Sequence, residues 1–536
     1  MNMSKPTVER KTAAKASAGR LIFAGISVLV EFFFLVILAT SLNEYAEWIS
    51  ITTRLISLIL VLLIYSRYQT ASLKMPWIIL ILVLPVVGVT MYLLVGFAWT
   101  PHRLQRSLDA IDERLFPLLR SADGNLEKAA LFDRHLGNIS AYIQHKAHYP
   151  VYTDTDVTYY PDTKLALQAM LNDLRSAKKF IFMEYHAIEN AESWIVIQDI
   201  LTAKVKAGVE VRVFYDDMGS IFFLNRDFRR QLQEAGIHCR VFNPIVPFLK
   251  LIMNNRDHRK ILVVDGKVGY TGGFNIANEY FNLTHPYGHW KDAGIRLEGP
   301  AVRSLTAMFL EMWNAIRDND ADDLSYDKYL PARPAEQKDD RKADHHAAQD
   351  ADRHTGFVQP YGDVPTDHEQ VGENVYIAMI EQAVDYIYFS TPYLILTEEM
   401  SHALSLAARR GVDVRIITPG IPDKKMVYEV TRSYYHGLVR NGVRIFEYTP
   451  GFNHAKLCVT DDHAAICGTI NLDFRSLYHH FEDAVLFYGC PQVMDIKKDF
   501  LDTFPRCHEV TQQYHTGRSN PLRFGQIILR LFAPLL

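Results

Sequence analysis

Two stretches of this chain carry the same reactive side chains at the same spacing. His258, Lys260 and Asp265 lie in HRKILVVDGKVGYTGGFN, and His454, Lys456 and Asp461 lie in HAKLCVTDDHAAICGTIN. Both read His-x-Lys, four residues, Asp, six residues, Gly, two residues, Asn, closing on Gly272 and Asn275 or on Gly468 and Asn471. Two such matches in register within one chain point to a duplicated site. The residue types suit phosphorus chemistry: an imidazole can attack phosphorus, while an ammonium and an amide can hold its anionic oxygens.

A phosphodiester is anionic and resists nucleophiles, so its oxygens must be neutralised before anything attacks. Lys260 and Lys456 supply point charges for this, with Asn275 and Asn471 as supporting donors. One imidazole can attack to give a phosphohistidine. The other protonates the departing alcohol and deprotonates the incoming one. An imidazole pKa of about 6.5 suits that alternation. No ligand spacing indicates a metal, and no cofactor is expected. Asp265 and Asp461 belong to the candidate catalytic set, but each joins an apolar strand to a turn-like segment, so folding the loop is an equal reading. Gly272, Gly273 and Gly468 permit close backbone approach at a turn.

The surrounding elements repeat too. FIFMEYHAI (180–188) and YIYFSTPYL (386–394) read as buried strands. Each is followed by a helix-like segment closed by Gly208 or Gly411, a second strand, and a further helix–Gly–strand unit with Gly236 or Gly442. This alternation predicts an α/β fold with a mostly parallel sheet in each half. Downstream, WKDAGIRLEG and FEDAVLFYG align on Gly299 and Gly489, which sets Asp292 opposite Glu482. These carboxylates can accept from the second ring nitrogen of a His and fix its tautomer. The expectation is two tandem α/β domains in a pseudo-twofold body with one shared site.

The domains are placed at 151–317 and 357–510, after a connector at 101–150. The stretch 318–356 is charged and poor in large aliphatics, as an exposed linker would be. Its His345, His346 and His354 read as part of a solvated tract rather than a metal site. The five cysteines (Cys239, Cys458, Cys467, Cys490, Cys507) form no CxxC pair and read as reduced thiols. A net charge of −4 over 536 residues offers no general attraction for nucleic acid.

Residues 1–100 are far more apolar. Runs at 21–42, 54–66 and 76–97 predict an anchor of two or three transmembrane helices, the second run spanning only if extended towards Trp48. A cleaved signal peptide is the alternative for the first run. Lys5, Arg10, Lys11, Lys15 and Arg20 favour a cytoplasmic N-terminus, and the number of spans then decides the side of the catalytic body. The C-terminal 511–536 reads as an amphipathic segment, with packing on the core as an equal alternative.

The paired HxK(x)4D(x)6G motifs resemble those of the phospholipase D superfamily over roughly 150–510. Together with KMPWIILILVLPVVGVTMYLLVG, they resemble bacterial cardiolipin synthases of that type. The resemblance implies transfer of a phosphatidyl group between two phosphatidylglycerol molecules, giving cardiolipin and glycerol. It implies His258 as nucleophile and His454 as acid/base. Anionic membrane lipid is the expected partner and the cell membrane the expected location, with oligomeric state open. One departure is His479–His480 before Phe481, where the family more often carries a single polar or amide residue. A hydrolytic phospholipase D, a transferase using another alcohol, a nuclease or an inactive membrane scaffold are the rival readings.

Overall fold

The computed structural model describes residues 46–67, 70–93, 101–119, 124–225, 227–244, 255–316, 326–331 and 356–515, with positions 33, 525 and 529–530 besides. Each half is built on one sheet. The first runs, in spatial order, Asp156–Tyr160, Gly294–Glu298, Val268–Gly272, Lys260–Val264, Phe180–Tyr185, Glu210–Asp216 and His238–Phe242. The second runs Phe357–Asp363, His480–Tyr488, Ala464–Gly468, Leu457–Thr460, Tyr386–Ser390, Asp413–Pro419 and Arg444–Tyr448, then adds Cys507–Glu509 at its edge. The order of the first seven strands is the same in both.

Neither sheet is mostly parallel, contrary to the expectation from βα alternation. Along the seven strands that the two sheets share, only the three joined through helices pair in parallel, as Phe180–Tyr185 does with Glu210–Asp216, and that strand with His238–Phe242. The motif strands pair antiparallel. Lys260–Val264 returns into Val268–Gly272 through a turn too short for a crossover, and a tight turn can only reverse the chain. Gly208 and Gly411 do end their helices with left-handed backbone, at φ 83° and 100°.

Two exchanges stitch the halves together. Arg256 and Asp257, just before His258, pair in parallel with His480 and Phe481 of the second sheet. Gly451–Asn453, just before His454, pair in parallel with His289–Lys291 of the first half. The segment leading into each motif histidine is thus a strand partner of the segment leading into the opposite half's carboxylate.

The connector is part of the body rather than a tether. Pro101–Leu119 lies against the Val302–Ala315 helix, and Leu108, Ile111 and Leu115 are buried in the principal core. Of the charged linker, 326–331 also departs from an exposed tract: Leu330 is buried, and the Tyr329 ring packs on Phe180 and Phe182 at 5.1 and 5.0 Å. Two aromatics and a leucine in this stretch outweigh its charge locally. Positions 345, 346 and 354 lie outside the described residues. All five cysteines are free thiols.

At the front, helices Ala46–Ser66, Ala71–Val83 and Pro85–Met91 pack together around Ile64, Ile81, Val89 and Tyr92. The second apolar run does begin upstream of Trp48. The third breaks at Leu84 (φ −129°, ψ 75°), because the following proline disfavours helical backbone there. Among the described residues no helix is long and apolar enough to cross a membrane. The first apolar run lies outside them except for Phe33, and most of 511–536 does too. Of that C-terminal segment, Leu529 packs against the core and the Arg530 guanidinium stands 4.2 Å from the Tyr434 ring.

Candidate active site

The residues preceding the histidines fix where the rings go. His258 N–H donates to Phe481 O (2.8 Å), and His454 N–H donates to Lys291 O (2.7 Å). Phe481 and Lys291 each precede a carboxylate, so each ring is delivered to the acid of the other half. His258 Nδ1 lies 2.8 Å from Glu482 Oε2, and His454 Nδ1 lies 2.7 Å from Asp292 Oδ2. Both carboxylates are buried, at 0% and 1% exposure, and both histidines stand at 7%. A carboxylate on Nδ1 holds that N–H and leaves the Nε2 lone pair for chemistry.

The carboxylates are themselves oriented. Glu482 Oε2 also accepts from Thr469 Oγ1, and Oε1 accepts from Ser476 Oγ, both at 2.5 Å. Asp292 Oδ1 accepts its neighbour's amide, Ala293 N–H, at 2.9 Å. A methyl group at Gly273 would stand 2.0 Å from Asp292 Oδ1, so the chain needs glycine there.

The two lysines join the rings. Lys260 Nζ donates to His258 O at 2.6 Å, Lys456 Nζ donates to His454 O, and Lys456 Nζ lies 2.9 Å from His454 Nδ1. Both ammonium groups are almost fully buried. Burial and the charge of Lys260 push Lys456 down to about 7, against the pull of Asp292. Burial also lowers Lys260. Burial and the charge of Lys456 hold His454 down to about 4, although Asp292 works the other way. His258 is held well below the usual imidazole range by burial, then by Lys260, Lys456 and His454. Burial opposes ionisation of Asp292, but His454 and Lys456 outweigh it and lower that carboxyl. The site therefore concentrates positive charge around neutral imidazoles, an arrangement that an anion would relieve.

The rings have unlike neighbours. His454 is walled by Trp290, Tyr280 and Phe452, with centroids at 5.2, 5.3 and 5.8 Å. His258 is flanked by His186 at 5.0 Å and His480 at 5.3 Å.

The structure separates the other sequence candidates. Asn275 spends its amide on the loop, accepting from Ala187 N–H (3.1 Å) and donating to Tyr280 OH (2.8 Å), which seats Tyr280 beside His454. Asn471 is 5% exposed, and among the described residues its Oδ1 has no partner. Asp265 and Asp461 do not join the site. Each lies at the far end of its motif strand, about 20 Å of extended chain from its histidine. Asp265 takes left-handed backbone at φ 55° and accepts three N–H groups, from Lys178 (2.8 Å), Lys179 (2.7 Å) and Phe180 (3.0 Å). Asp461, at φ 49°, does the same for Val384 (2.8 Å), Asp385 (2.9 Å) and Tyr386 (2.8 Å). Both clamp a turn to the neighbouring strand, so their catalytic placement in the sequence reading is corrected to a folding role.

Sequence reasoning passed over Arg259 and Asp483. Arg259 is fully buried and donates to Glu482 O (3.2 Å), Met308 O (3.2 Å) and Glu311 (2.8 Å). Asp483 accepts from Lys260 N–H (3.3 Å) and Thr271 Oγ1 (2.5 Å), again across the halves. The second motif has Ala455 in place of Arg259, so the repeat gave no signal for it.

The chain matches the family profile of the cardiolipin synthase, PLD-like domain, over residues 170–313 and 376–504. It is 40% identical over 474 residues to an uncharacterized protein of Streptococcus mutans, covering 88% of this chain and 98% of that one. It is 30% identical over 515 residues to a cardiolipin synthase of Halalkalibacterium halodurans (94% and 98% covered), and 31% identical over 474 residues to cardiolipin synthase 2 of Bacillus cereus (88% and 88%). In fold it is similar to the crystal structure of phosphatidylserine synthase from Haemophilus influenzae, with a TM-score of 0.53 at 14% identity over 74% of this chain and 99% of that one. With two matched segments and relatives of this similarity along most of its length, the chain belongs to the PLD-like cardiolipin synthase family.

Proposed function

We propose that this protein is a cardiolipin synthase that passes a phosphatidyl group from one phosphatidylglycerol to another through a phosphohistidine. The observation that carries this reading is the reciprocal placement of the histidines, each held at Nδ1 by the other half's carboxylate and each beside a buried lysine.

The phosphodiester of the first lipid binds between Lys260 and Lys456 and offsets their charge. That relief favours proton uptake by His454, whose imidazolium Asp292 then stabilises. His258 Nε2 attacks phosphorus. The P–O bond to glycerol breaks, and the alkoxide takes the His454 proton as glycerol leaves. The second phosphatidylglycerol gives its hydroxyl proton to His454, and its oxygen attacks the phosphohistidine. Cardiolipin forms, and His258 regains its lone pair. Assignment of the attack to His258 rests on the family resemblance, and its imidazole-rich surroundings set it apart from His454.

The reading includes a membrane anchor at the front of the chain and a cell-membrane location. The outward-facing Leu55, Leu58, Ile59, Leu62 and Leu63 of the Ala46–Ser66 helix support it, since so much apolar surface needs a non-aqueous partner. A diacyl lipid stays in its bilayer, and an anchored enzyme meets its head group there.

The test is incubation of the purified chain with phosphatidylglycerol in detergent micelles without added metal. Cardiolipin and glycerol in equal amounts are expected. Phosphatidic acid in their place would make the enzyme a hydrolase and overturn the transfer reading.

A further inference from the structure

His480 is 8% exposed, and among the described residues neither of its ring nitrogens has a hydrogen-bond partner. An imidazole sealed from water without a well-formed hydrogen bond on either nitrogen is costly, because each polar atom gives up its hydration with little replacement. The mechanism above makes no use of it. Its Nδ1 lies 3.5 Å from Glu482 Oε1, and its ring centroid lies 5.3 Å from that of His258. Ligand atoms of His258, His480 and Glu482 all lie within 4.8 Å of one another. Among the described residues this is the one group of three His, Cys or carboxylate side chains so gathered.

We infer that His258, His480 and Glu482 form a binding site for a divalent transition-metal ion of the zinc class, and that its occupation inhibits the enzyme. Two imidazoles and a carboxylate are a donor set that zinc accepts, with a further position left for water. The carboxylate is already steered by Thr469 and Ser476, as ligating carboxylates are steered in metal centres. A third ring, His186, stands 5.0 Å from His258, its Nδ1 donating to Asp257 O at 2.7 Å. Positive charge from Lys260 and Arg475 acts on this corner, which disfavours hard cations such as Mg²⁺ held by charge alone.

Inhibition follows from the shared ligands. A metal on Glu482 and His258 competes with the hydrogen bond that orients the His258 ring and draws on the ring needed for attack. The site is one-sided. Aligned on the carboxylates, Trp290 occupies the position of His480 in the half that serves His454, so among the described residues that corner has no second imidazole. The sequence feature behind the site is the His479–His480 pair, which the catalytic reading left without a role.

The test uses the full chain in detergent. Zn²⁺ is titrated against binding by calorimetry and against turnover, with the chelator EDTA added afterwards. Co²⁺ is titrated separately while its visible d–d absorption is recorded. One Zn²⁺ per chain, inhibition reversed by EDTA, and a Co²⁺ spectrum of low-symmetry nitrogen and oxygen ligation are expected. His480→Gln should keep most turnover without metal but need at least 10-fold more Zn²⁺ for half-inhibition. The His345→Gln/His346→Gln double variant should retain the parent's response. Absence of the Co²⁺ bands in the parent chain, equal Zn²⁺ sensitivity in His480→Gln, or loss of binding in the double variant instead would each overturn the inference. Because binding and the Co²⁺ spectrum are read without substrate, a chain that hydrolysed its lipid would leave them unaffected.

Discussion

Glu482 belongs to the second half of the chain, yet the ring it holds, 2.8 Å away, is His258 of the first. Asp292 and His454 repeat the arrangement in reverse at 2.7 Å. Each motif histidine is held by the other half's carboxylate and not by its own half's, so the unit of chemistry is the joined pair of halves.

Asp292→Asn and Glu482→Gln keep the shape of the acceptor but lose the charge that supports an imidazolium and selects the tautomer. Each should lower kcat by at least about 10²-fold with little change in KM. Steady-state kinetics in mixed micelles checks this. A change confined to KM would assign the carboxylates to substrate binding.

The lowered pKa values set a pH profile with a definite sign. A lowered imidazole stays neutral until acid pH, so the acid limb of kcat/KM should lie well below the ordinary imidazole range, where His258, held down by burial, takes up a proton and loses the lone pair needed for attack. Lys456 releases its proton near 7, and a neutral lysine holds phosphate poorly, so kcat/KM should fall above that pH. Lys456→Arg, cationic at all these pH values, should lower the rate and remove the alkaline limb. An alkaline limb unchanged in that variant would mean another group sets it.

Gly273→Ala drives a methyl group onto the Asp292 carboxylate and should cost most of the activity, measured as kcat at equal folded protein. Gly437→Ala, inside the Lys425–Val439 helix with no described atom within 4 Å of the added one, should leave turnover unchanged and stabilise by about 0.5–1 kcal/mol in thermal unfolding. Similar losses in both would remove the steric argument.

Asp265→Ala and Asp461→Ala each strip three backbone N–H groups of their acceptor. The expected result is a stability loss of about 2–3 kcal/mol with kcat retained below the transition. Unfolding curves and rates on the same samples separate this from a catalytic role, which would lower kcat with the melting temperature unchanged.

The sequence revealed chemistry better than topology. His258, Lys260, His454 and Lys456 were legible because a duplicated spacing is visible without knowing the fold, and Asp292 and Glu482 because they keep register with terminal glycines. The crossing of carboxylates between halves was not legible. It depends on pairings as short as Arg256–Asp257 with His480–Phe481, and two residues carry no periodicity. The antiparallel motif strands were missed because apolar runs do not encode direction. Arg259 was hidden by its asymmetry, since comparing the repeats favours what both copies share. The 101–150 helices were read as a connector because their apolar positions are diluted by charge, although Leu108, Ile111 and Leu115 make them part of the core.

The central claim is that both imidazoles serve one phosphorus, with His258 carrying the covalent bond. The most direct measurement is a rapid quench of the purified chain with phosphatidylglycerol radiolabelled at phosphorus, followed by peptide mapping under conditions that preserve phosphohistidine. The account predicts no more than one label per chain, on the peptide containing His258 and absent from His258→Ala. A label on His454, or one on each histidine of the same chain, would contradict it.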